Sequence, residues 1–423
     1  TLDMSVYKSS YQGISARYVS NAVTSKNKDT GKTETKAAGI VPLIQGVSGN
    51  GTKITFDMNV KEYADDDFHA ASVGGVFNLF APVKGDCNVK NLTFTGKAET
   101  ASNTGKTGAV SYTGVQLQYY TSDGEKTEKA SNWGNWKYVG VGSFVGSSAG
   151  TVAEFSGGYK WYIASVNFNS VKFENMTIQS PAVAGGLIGN SGRIELNKGN
   201  STPTSDIGIL LQPCGENGGQ NTVYLCNTFT NCSFRNLTVM GQEKAGGFCG
   251  YIDGKVDLCN QLNVTVPNVI IGQDSSISAI QNNSSAGGLF GFVRRRVAIN
   301  DKIGTYTAIW KNVNVEAGQY SGDLIGEISA DNNGRESNIN NVQILESAQS
   351  KSSSQARGGV IGIAYGGKKI TIKDCSVNTS NIKASSAAGG IVGHLKTPAT
   401  ITGCIVSGSN SNSSKIEGNN CAS

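Results

Sequence analysis

The chain repeats itself, and that constrains its fold more than any single residue does. Ala184-Gly185-Gly186-Leu187-Ile188-Gly189 recurs as Ala245-Gly246-Gly247-Phe248-Cys249-Gly250 and as Ala286-Gly287-Gly288-Leu289-Phe290-Gly291. Further copies open at Gly322, where Asp323 takes the second glycine's place, at Gly358 and at Gly389. Two outlying forms stand upstream, Gly74-Gly75-Val76-Phe77 and Gly142-Ser143-Phe144-Val145-Gly146. A second box, apolar-x-Asn-apolar-x-apolar, travels with the first. It reads Val89-Lys90-Asn91-Leu92-Thr93-Phe94, Phe173-Glu174-Asn175-Met176-Thr177-Ile178 and Phe234-Arg235-Asn236-Leu237-Thr238-Val239. Val266, Trp310 and Ile339 open further copies, and those at Ile372 and Ile401 carry Asp374 and Gly403 instead of Asn. The glycine box follows Phe173, Phe234 and Trp310 at one fixed interval, opening at Gly185, Gly246 and Gly322. A period of this kind declares an architecture of equivalent units.

Each unit holds short alternating apolar segments between Gly, Asn and Ser, with no sustained helical period. One unit cannot bury its apolar face alone. Units stacked in register can, each strand bonding to its equivalents above and below at about 4.8 Å. Glycine suits corners where positive φ or close backbone approach excludes a side chain. Asn at a fixed place suits a bend and a hydrogen-bonded ladder along the stack. Successive glycine boxes lie from 31 to more than 60 residues apart, which fits a coil of roughly 20–30 residues with loops inserted at its corners. The expected fold is all-β: a right-handed parallel β-helix (β-solenoid) of about eight or nine coils with long loop insertions.

The Gly-Gly-Leu-Ile-Gly boxes resemble the GLUG motif of large bacterial surface proteins, also found beside the peptidase domain of immunoglobulin-A-cleaving metallopeptidases. The resemblance covers roughly residues 74–409. Ser10-Tyr11-Gln12-Gly13-Ile14-Ser15-Ala16-Arg17-Tyr18 with Gly49-Asn50-Gly51 is similar to the start of such units in surface proteins of gut Firmicutes. The resemblance implies a structural repeat and says little of activity.

Composition agrees with a secreted β protein. Gly is abundant at 55, while Pro numbers 7, Met 4, and charged residues make up 16%; this is the profile of an extracellular β-rich chain rather than a helical cytosolic enzyme. The formal charge of +5 is spread without a dominant basic block, which does not argue for nucleic acid. No apolar run reaches the ~18 residues of a membrane span. A chain opening at Thr1 without a signal peptide reads as a mature or excised piece of a longer secreted product, and the polar, capless Ser407–Ser423 end suggests that something follows. The expected organisation is an N-terminal cap or lead-in over 1–38, a β-helix over 39–409 with insertions at 96–140 and 190–230, and a polar tail or linker over 410–423. Smaller excursions are expected at Gln273–Ser285 and Ser347–Arg357.

The nine cysteines admit two readings. Cys375 and Cys404 occupy the same place in consecutive boxes, so their side chains should stack. Cys87 and Cys232 both stand two residues before a box, where other units carry Val171, Val264 and Ile370, as if Cys replaced a buried apolar residue. Disulfides are the competing reading in a secreted chain, with Cys375–Cys404 and the Cys214, Cys226, Cys232 cluster as candidates. An odd total leaves one unpaired, and no Cys-x-x-Cys pair suggests a metal.

Recognition is the chemistry the remaining features suggest. Tyr119, Tyr120, Trp133, Trp136 and Tyr138 crowd the first insertion, and Tyr159 and Trp161 follow in the next coil. Such rings stack on sugars or anchor protein interfaces; the alternative is a satellite core under a long loop. Arg294, Arg295 and Arg296 directly follow a glycine box and could meet sialic acid, sulfate or an acidic partner, or form an ordinary exposed basic patch. Asp65-Asp66-Asp67 lacks the ligand spacing of a calcium loop and reads as a solvated acidic loop. His69 and His394 have no acid/base partner nearby in sequence, and no His-Glu-x-x-His, Gly-x-Ser-x-Gly, phosphate-loop or dinucleotide motif occurs. Asn-x-Ser/Thr sequons at Asn91, Asn175 and Asn236 read as chance products of the repeat, with their side chains buried. No catalytic residue, metal or cofactor is assigned. The expected function is a non-enzymatic adhesin or rigid stalk at the cell surface or secreted, binding a host glycan or a host protein such as mucin or immunoglobulin. A β-helical polysaccharide lyase or hydrolase, and a spacer beside a peptidase domain outside this chain, are the alternatives.

Overall fold

The computed structural model describes residues 2–3, 22–26, 33–37, 43–45, 52–56, 73–80, 87–96, 119–120, 126–127, 140–148, 151–155, 158–162, 166–180, 182–191, 226–252, 255–258, 270–294, 296–299, 307–330, 336–347, 354–379, 381–408, 415–419 and 421–422. Among these residues the chain is all-β, and four sheets of parallel strands hold most of it. The chain visits the sheets in a fixed order. One unit supplies Arg296–Ile299 to sheet 1, Thr307–Ala317 to sheet 2, Tyr320–Gly322 to sheet 3 and Ile325–Ala330 to sheet 4. The next strand, Ser337–Asn340, returns to sheet 1 beside Arg296–Ile299. Neighbours in every large sheet therefore come from successive units, which is how a repeat too small for its own core buries an apolar face. Antiparallel hairpins of Ala22–Lys26 with Thr33–Ala37 and of Thr151–Phe155 with Gly158–Tyr162 depart from this pattern. Lys415–Gly418 and Cys421–Ala422 pair in parallel with Asn381–Ala384 and Ala387–Gly389, within the stretch expected as a tail.

The glycine boxes stand in register. Gly74, Gly142, Gly185, Gly246, Gly287, Gly322, Gly358 and Gly389 lie opposite one another through sheet 3. Sheet 4 begins three residues after each of them, with two residues between, so the connection from sheet 3 to sheet 4 never varies in length. Close approach, not positive φ, requires glycine here. A Cβ on Gly246 would lie 2.0 Å from the Cys249 carbonyl oxygen and 2.7 Å from the Gly291 nitrogen. The corner's own amides bond to the next unit: Gly186 N–H donates to Gly246 O at 3.1 Å and Leu187 N–H to Phe248 O at 3.0 Å.

Left-handed backbone falls to Asn and its substitutes, and in two rows rather than one. Asn91, Ser170, Asn231, Asn341, Asp374 and Gly403 have φ between 51° and 64° and follow sheet 1. Asn175, Asn236, Asp274 and Asn312, at 46° to 60°, lie inside the long strands of sheet 2. Single Asn and Asp residues tolerate this region because their short polar side chains hydrogen-bond locally. The boxes at Val89, Ile339, Ile372 and Ile401 thus belong to a different bend from those at Phe173, Phe234 and Trp310. Val89 pairs with Phe168, and Phe173 with Phe94.

Several expectations change with this phase. Cys87 and Cys232 are not equivalent: Cys87 pairs with Val166, while the register of Lys172 with Ser233 sets Cys232 beside Val171. Gln273–Ser285 is not a single excursion. Phe234 and Arg235 pair with Gly272 and Gln273, making Gly272-Gln273-Asp274 the true copy of the box, and the strand runs on to Ala279. The copy opening at Val266 lies outside the described residues. The sequon asparagines are not buried; Asn236 is exposed and Asn91 and Asn175 partly so. Their side chains face outward because the left-handed residue interrupts the in-out alternation of the strand.

The main core lies between the sheets. Ile188, Cys249, Phe290, Ile325 and Ile361 form one inward row of sheet 4, all at 0% exposure. Aromatic rings fill the earlier units. Phe168 stacks on its register partner Phe229 at 5.3 Å between centroids, and Phe229 on Phe248 at 4.9 Å. From Leu324 onward the buried core is aliphatic apart from Cys375.

Gly246→Ala should lower unfolding free energy by about 3 kcal/mol or more, because both obstructing atoms are backbone and cannot yield cheaply. Asn236→Gly, which keeps the left-handed bend accessible, should stay within about 1 kcal/mol. Chemical denaturation compares the two. A neutral Gly246→Ala would contradict the close-approach account.

Candidate functional site

The described candidate residues are distributed over the connections between sheets. The aromatic insertion with Tyr119, Tyr120, Trp133, Trp136 and Tyr138 connects sheet 2, ending at Gly96, to sheet 3, resuming at Gly140. Trp133, Trp136 and Tyr138 lie outside the described residues, and Tyr119–Tyr120 pairs with Lys126–Thr127. Tyr159 and Trp161 sit in the hairpin strand Gly158–Tyr162, on the connection from sheet 4 back to sheet 1. The second insertion leaves by the same connection one unit later, between Ser191 and Cys226. Arg294 belongs to that connection again, two units on, and Arg296 opens the next strand. The structure thus groups Tyr159, Trp161 and the arginines on one class of connection and places the first insertion on another. Arg294 and Arg296 are partly buried, and Arg296 Nε donates to the Glu336 carbonyl at 2.9 Å. Arg295 and Asp65-Asp66-Asp67 lie outside the described residues.

A second group of residues was not singled out by the sequence. Because the glycine corner is so tight, the outer faces of sheets 3 and 4 close on each other. A Cβ on Gly250 would meet Val183 Cγ1 at 2.5 Å. Ala182, Val183, Tyr251 and Phe292 form an apolar cluster separate from the main core, with Tyr365 against it. Beside them Glu327, 8% exposed, is fully engaged. Lys244 Nζ donates to its Oε2 at 2.7 Å, Ser285 Oγ to the same oxygen at 3.1 Å, and Tyr365 Oη to Oε1 at 2.7 Å. Lys244 Nζ also lies 5.3 Å from the Phe292 ring centroid. Burial, then the Glu327 charge, holds the Tyr365 phenol well above its ordinary range, and the same two causes raise Tyr320. These contacts join residues from four successive units, so the cluster braces the outer side of the corner. With both carboxylate oxygens hydrogen-bonded, Glu327 is placed to hold neighbours together rather than to exchange protons with a substrate.

A third group lies inside. Asp323 occupies the second glycine position of its box, and Arg357 stands in the next unit where neighbouring units carry Ser321 and Ala388. Arg357 is 1% exposed and Asp323 likewise 1%. Arg357 Nη2 donates to Asp323 Oδ1 at 3.1 Å, and Nη1 to the Val315 carbonyl at 2.5 Å and to Ser321 Oγ at 3.4 Å. An isolated buried charge is costly, and a partner with several hydrogen bonds offsets that cost. The two departures from the repeat compensate each other across adjacent units. That complementarity was the available signal, and each was legible only against the aligned rows.

The outer face of sheet 2 carries polar ladders. Asn236 Nδ2 donates to Asn175 Oδ1 at 3.0 Å and Asn312 Nδ2 to Asp274 Oδ1 at 3.0 Å. Arg235 Nε meets Glu174 Oε2 at 2.6 Å in the adjoining row. Thr177, Thr238, Ser276 and Asn314 align alongside. Among the described residues no cluster of three His, Cys, Asp or Glu is arranged to hold a metal ion, and no helix is long and apolar enough to cross a membrane.

No family model matches the chain, and no curated protein matches it. Among solved structures it is similar to one from Bacteroides ovatus described as a "putative immunoglobulin A1 protease". The identity is 14%, over 83% of this chain and 78% of that one, with a TM-score of 0.33. A likeness this loose bears on neither the chemistry nor the details of the fold.

Asp323→Ala should destabilise the chain by about 3–5 kcal/mol, since it strands the Arg357 guanidinium in the interior. The pair Asp323→Gly with Arg357→Ala, which restores the pattern of neighbouring units, should be neutral or stabilising. Denaturant melts of the single and double variants give the comparison. A double variant as unstable as the single would show that a stranded Arg357 charge is not the cause of the loss.

Proposed function

We propose that the four parallel sheets wind as a right-handed β-solenoid and that this solenoid is a non-enzymatic scaffold. It holds its connecting segments at fixed places for recognition of a host glycan or protein outside the cell. The observation that carries the reading is the contrast between connections. The glycine corner from sheet 3 to sheet 4 has the same length in every unit, whereas the connections from sheet 2 to sheet 3 and from sheet 4 to sheet 1 range from a few residues to the long insertions. A rigid frame with variable loops is the usual arrangement for binding, because the frame fixes loop geometry while loop sequence changes freely. The resemblance of the boxes to GLUG repeats of bacterial surface proteins supports the same reading, as does a composition poor in charge and rich in Gly, Asn, Ser and Thr.

The charged side chains nearest to catalytic geometry support a scaffold. Glu327 is tied to Lys244, Ser285 and Tyr365, and Asp323 to Arg357. The polysaccharide-cleaving alternative rests on the outward Glu174–Arg235 pair, whose neighbours in the same face are mainly amides and hydroxyls.

The purified chain should bind at least one component of a panel of glycans, mucin and immunoglobulins. Trp133→Ala with Trp136→Ala should weaken that binding at least tenfold while leaving the β circular dichroism unchanged. Surface plasmon resonance with parallel dichroism spectra tests it. Binding that survives both substitutions would remove the aromatic insertion as the site, and absence of binding throughout would leave a bare stalk.

A further inference from the structure

Cys375 and Cys404 form a site that neither the scaffold nor the loops explain. Each directly follows a left-handed residue, Asp374 at φ 52° and Gly403 at φ 64°. Each therefore begins the turn from sheet 1 into sheet 2. Register brings them together: Lys373 pairs with Thr402, Ser376 with Ile405, and Ile405 N–H donates to the Cys375 carbonyl at 2.9 Å. Adjacent parallel strands lie about 4.8 Å apart, inside the Cα separation a disulfide spans. The two side chains leave on the same side, and both thiols are free: Cys375 Sγ donates to the Lys373 carbonyl at 3.3 Å and Cys404 Sγ to the Thr402 carbonyl at 3.5 Å.

Access is unequal. Cys375 is 1% exposed, whereas Cys404 is partly open. Val406, the register partner of the fully buried Val377, is likewise 40% exposed.

We infer that Cys375 and Cys404 are a redox-active dithiol, with Cys404 as the attacking thiol and Cys375 as the resolving one, whose oxidising substrate is a small disulfide. Cys404 as thiolate attacks one sulfur of the disulfide; the S–S bond breaks, and the departing thiolate takes up a proton. Cys375 then loses its proton and attacks Cys404 Sγ in the mixed disulfide, expelling the second thiol. Two electrons and two protons pass to the small disulfide, giving two thiols, and a Cys375–Cys404 bond forms. The neighbouring Cys375 thiol holds the Cys404 thiol below its ordinary range, while the Cys404 thiol and burial raise Cys375, in keeping with this order of attack. Cys232 and Cys249, by contrast, are fully buried, and burial pushes their thiols up. The resulting cross-link would tie Ala399–Thr402 and Ile405–Gly408 to the unit that precedes them.

The test uses the full chain with oxidised glutathione under native conditions, followed by non-reducing peptide mapping. The expected product is a cross-linked peptide pair joining Cys375 and Cys404. Cys375→Ala should instead hold glutathione as a stable adduct on Cys404, and Cys404→Ser should take up none at Cys375. An unmodified Cys404 in the native chain, or its cross-link to a different cysteine, overturns the proposal. Should Cys375→Ala fail to fold, iodoacetamide labelling of the unaltered native chain decides. Cys404 must react at least tenfold faster than Cys232 and Cys249, and equal rates overturn the assignment.

Discussion

The two-residue glycine corner governs the rest of the structure. At Gly185, Gly246, Gly287, Gly322, Gly358 and Gly389 an added Cβ would sit within 2.2 Å of the carbonyl oxygen three residues on. No rotamer or small shift relieves a backbone clash of that size. The corner residues give their amides to the next unit, so the same constraint that bends the chain also joins the units. Once one corner is fixed, the strands entering and leaving it are set in register with those beside it. The inward apolar rows then follow from the two-residue alternation of strands. The tightness has an outer consequence as well: it brings sheets 3 and 4 close enough for Tyr251, Phe292 and Val183 to form their own cluster.

Departures from the repeat occur where another residue makes up the difference. Asp323 replaces a glycine and Arg357 answers it from the next unit. Glu327 stands in its row between Phe292 and Ile363, and Lys244 and Tyr365 answer it from units on either side. These polar pairs cost more to assemble than apolar ones would, and half a pair is worse than none. They also differ between units, and so distinguish one register of stacking from a shifted one. In an array of near-identical repeats that distinction has value, because a slipped register would otherwise bury the same apolar rows.

Much of this architecture was legible in the sequence because glycine at a close approach leaves no alternative. Every glycine box, including the outlying Gly74 and Gly142 forms, stands in register with the others. The Asn boxes were legible as bends but not as two different bends. Both need a left-handed residue flanked by inward apolar side chains, so Asn91 and Asn175 look alike locally. The interval to the following glycine box held the missing information, being the same for Phe173, Phe234 and Trp310 and longer for Ile339 and Ile372. Gly272-Gln273-Asp274 escaped notice because Gly stands where Phe was expected and Asp where Asn was. The Glu327 cluster and the Arg357–Asp323 pair were beyond a single-chain reading, since their partners are separated by one or two units and meet only once the register is known. The surroundings of the candidate loop tryptophans depend on tertiary packing that no periodicity encodes.

If the repeat is the structural unit, removing one whole unit should leave a shorter stack of the same kind. Deletion of residues Gly247–Gly287 joins Gly246 to Gly288 and preserves the phase of all four sheets. The account predicts a soluble chain with unchanged β circular dichroism per residue and a cooperative thermal transition. Deletion of only residues Ile270–Gly287, which breaks that phase, should abolish the transition. A whole-unit deletion that fails to fold, or an out-of-phase deletion that folds equally well, would contradict it.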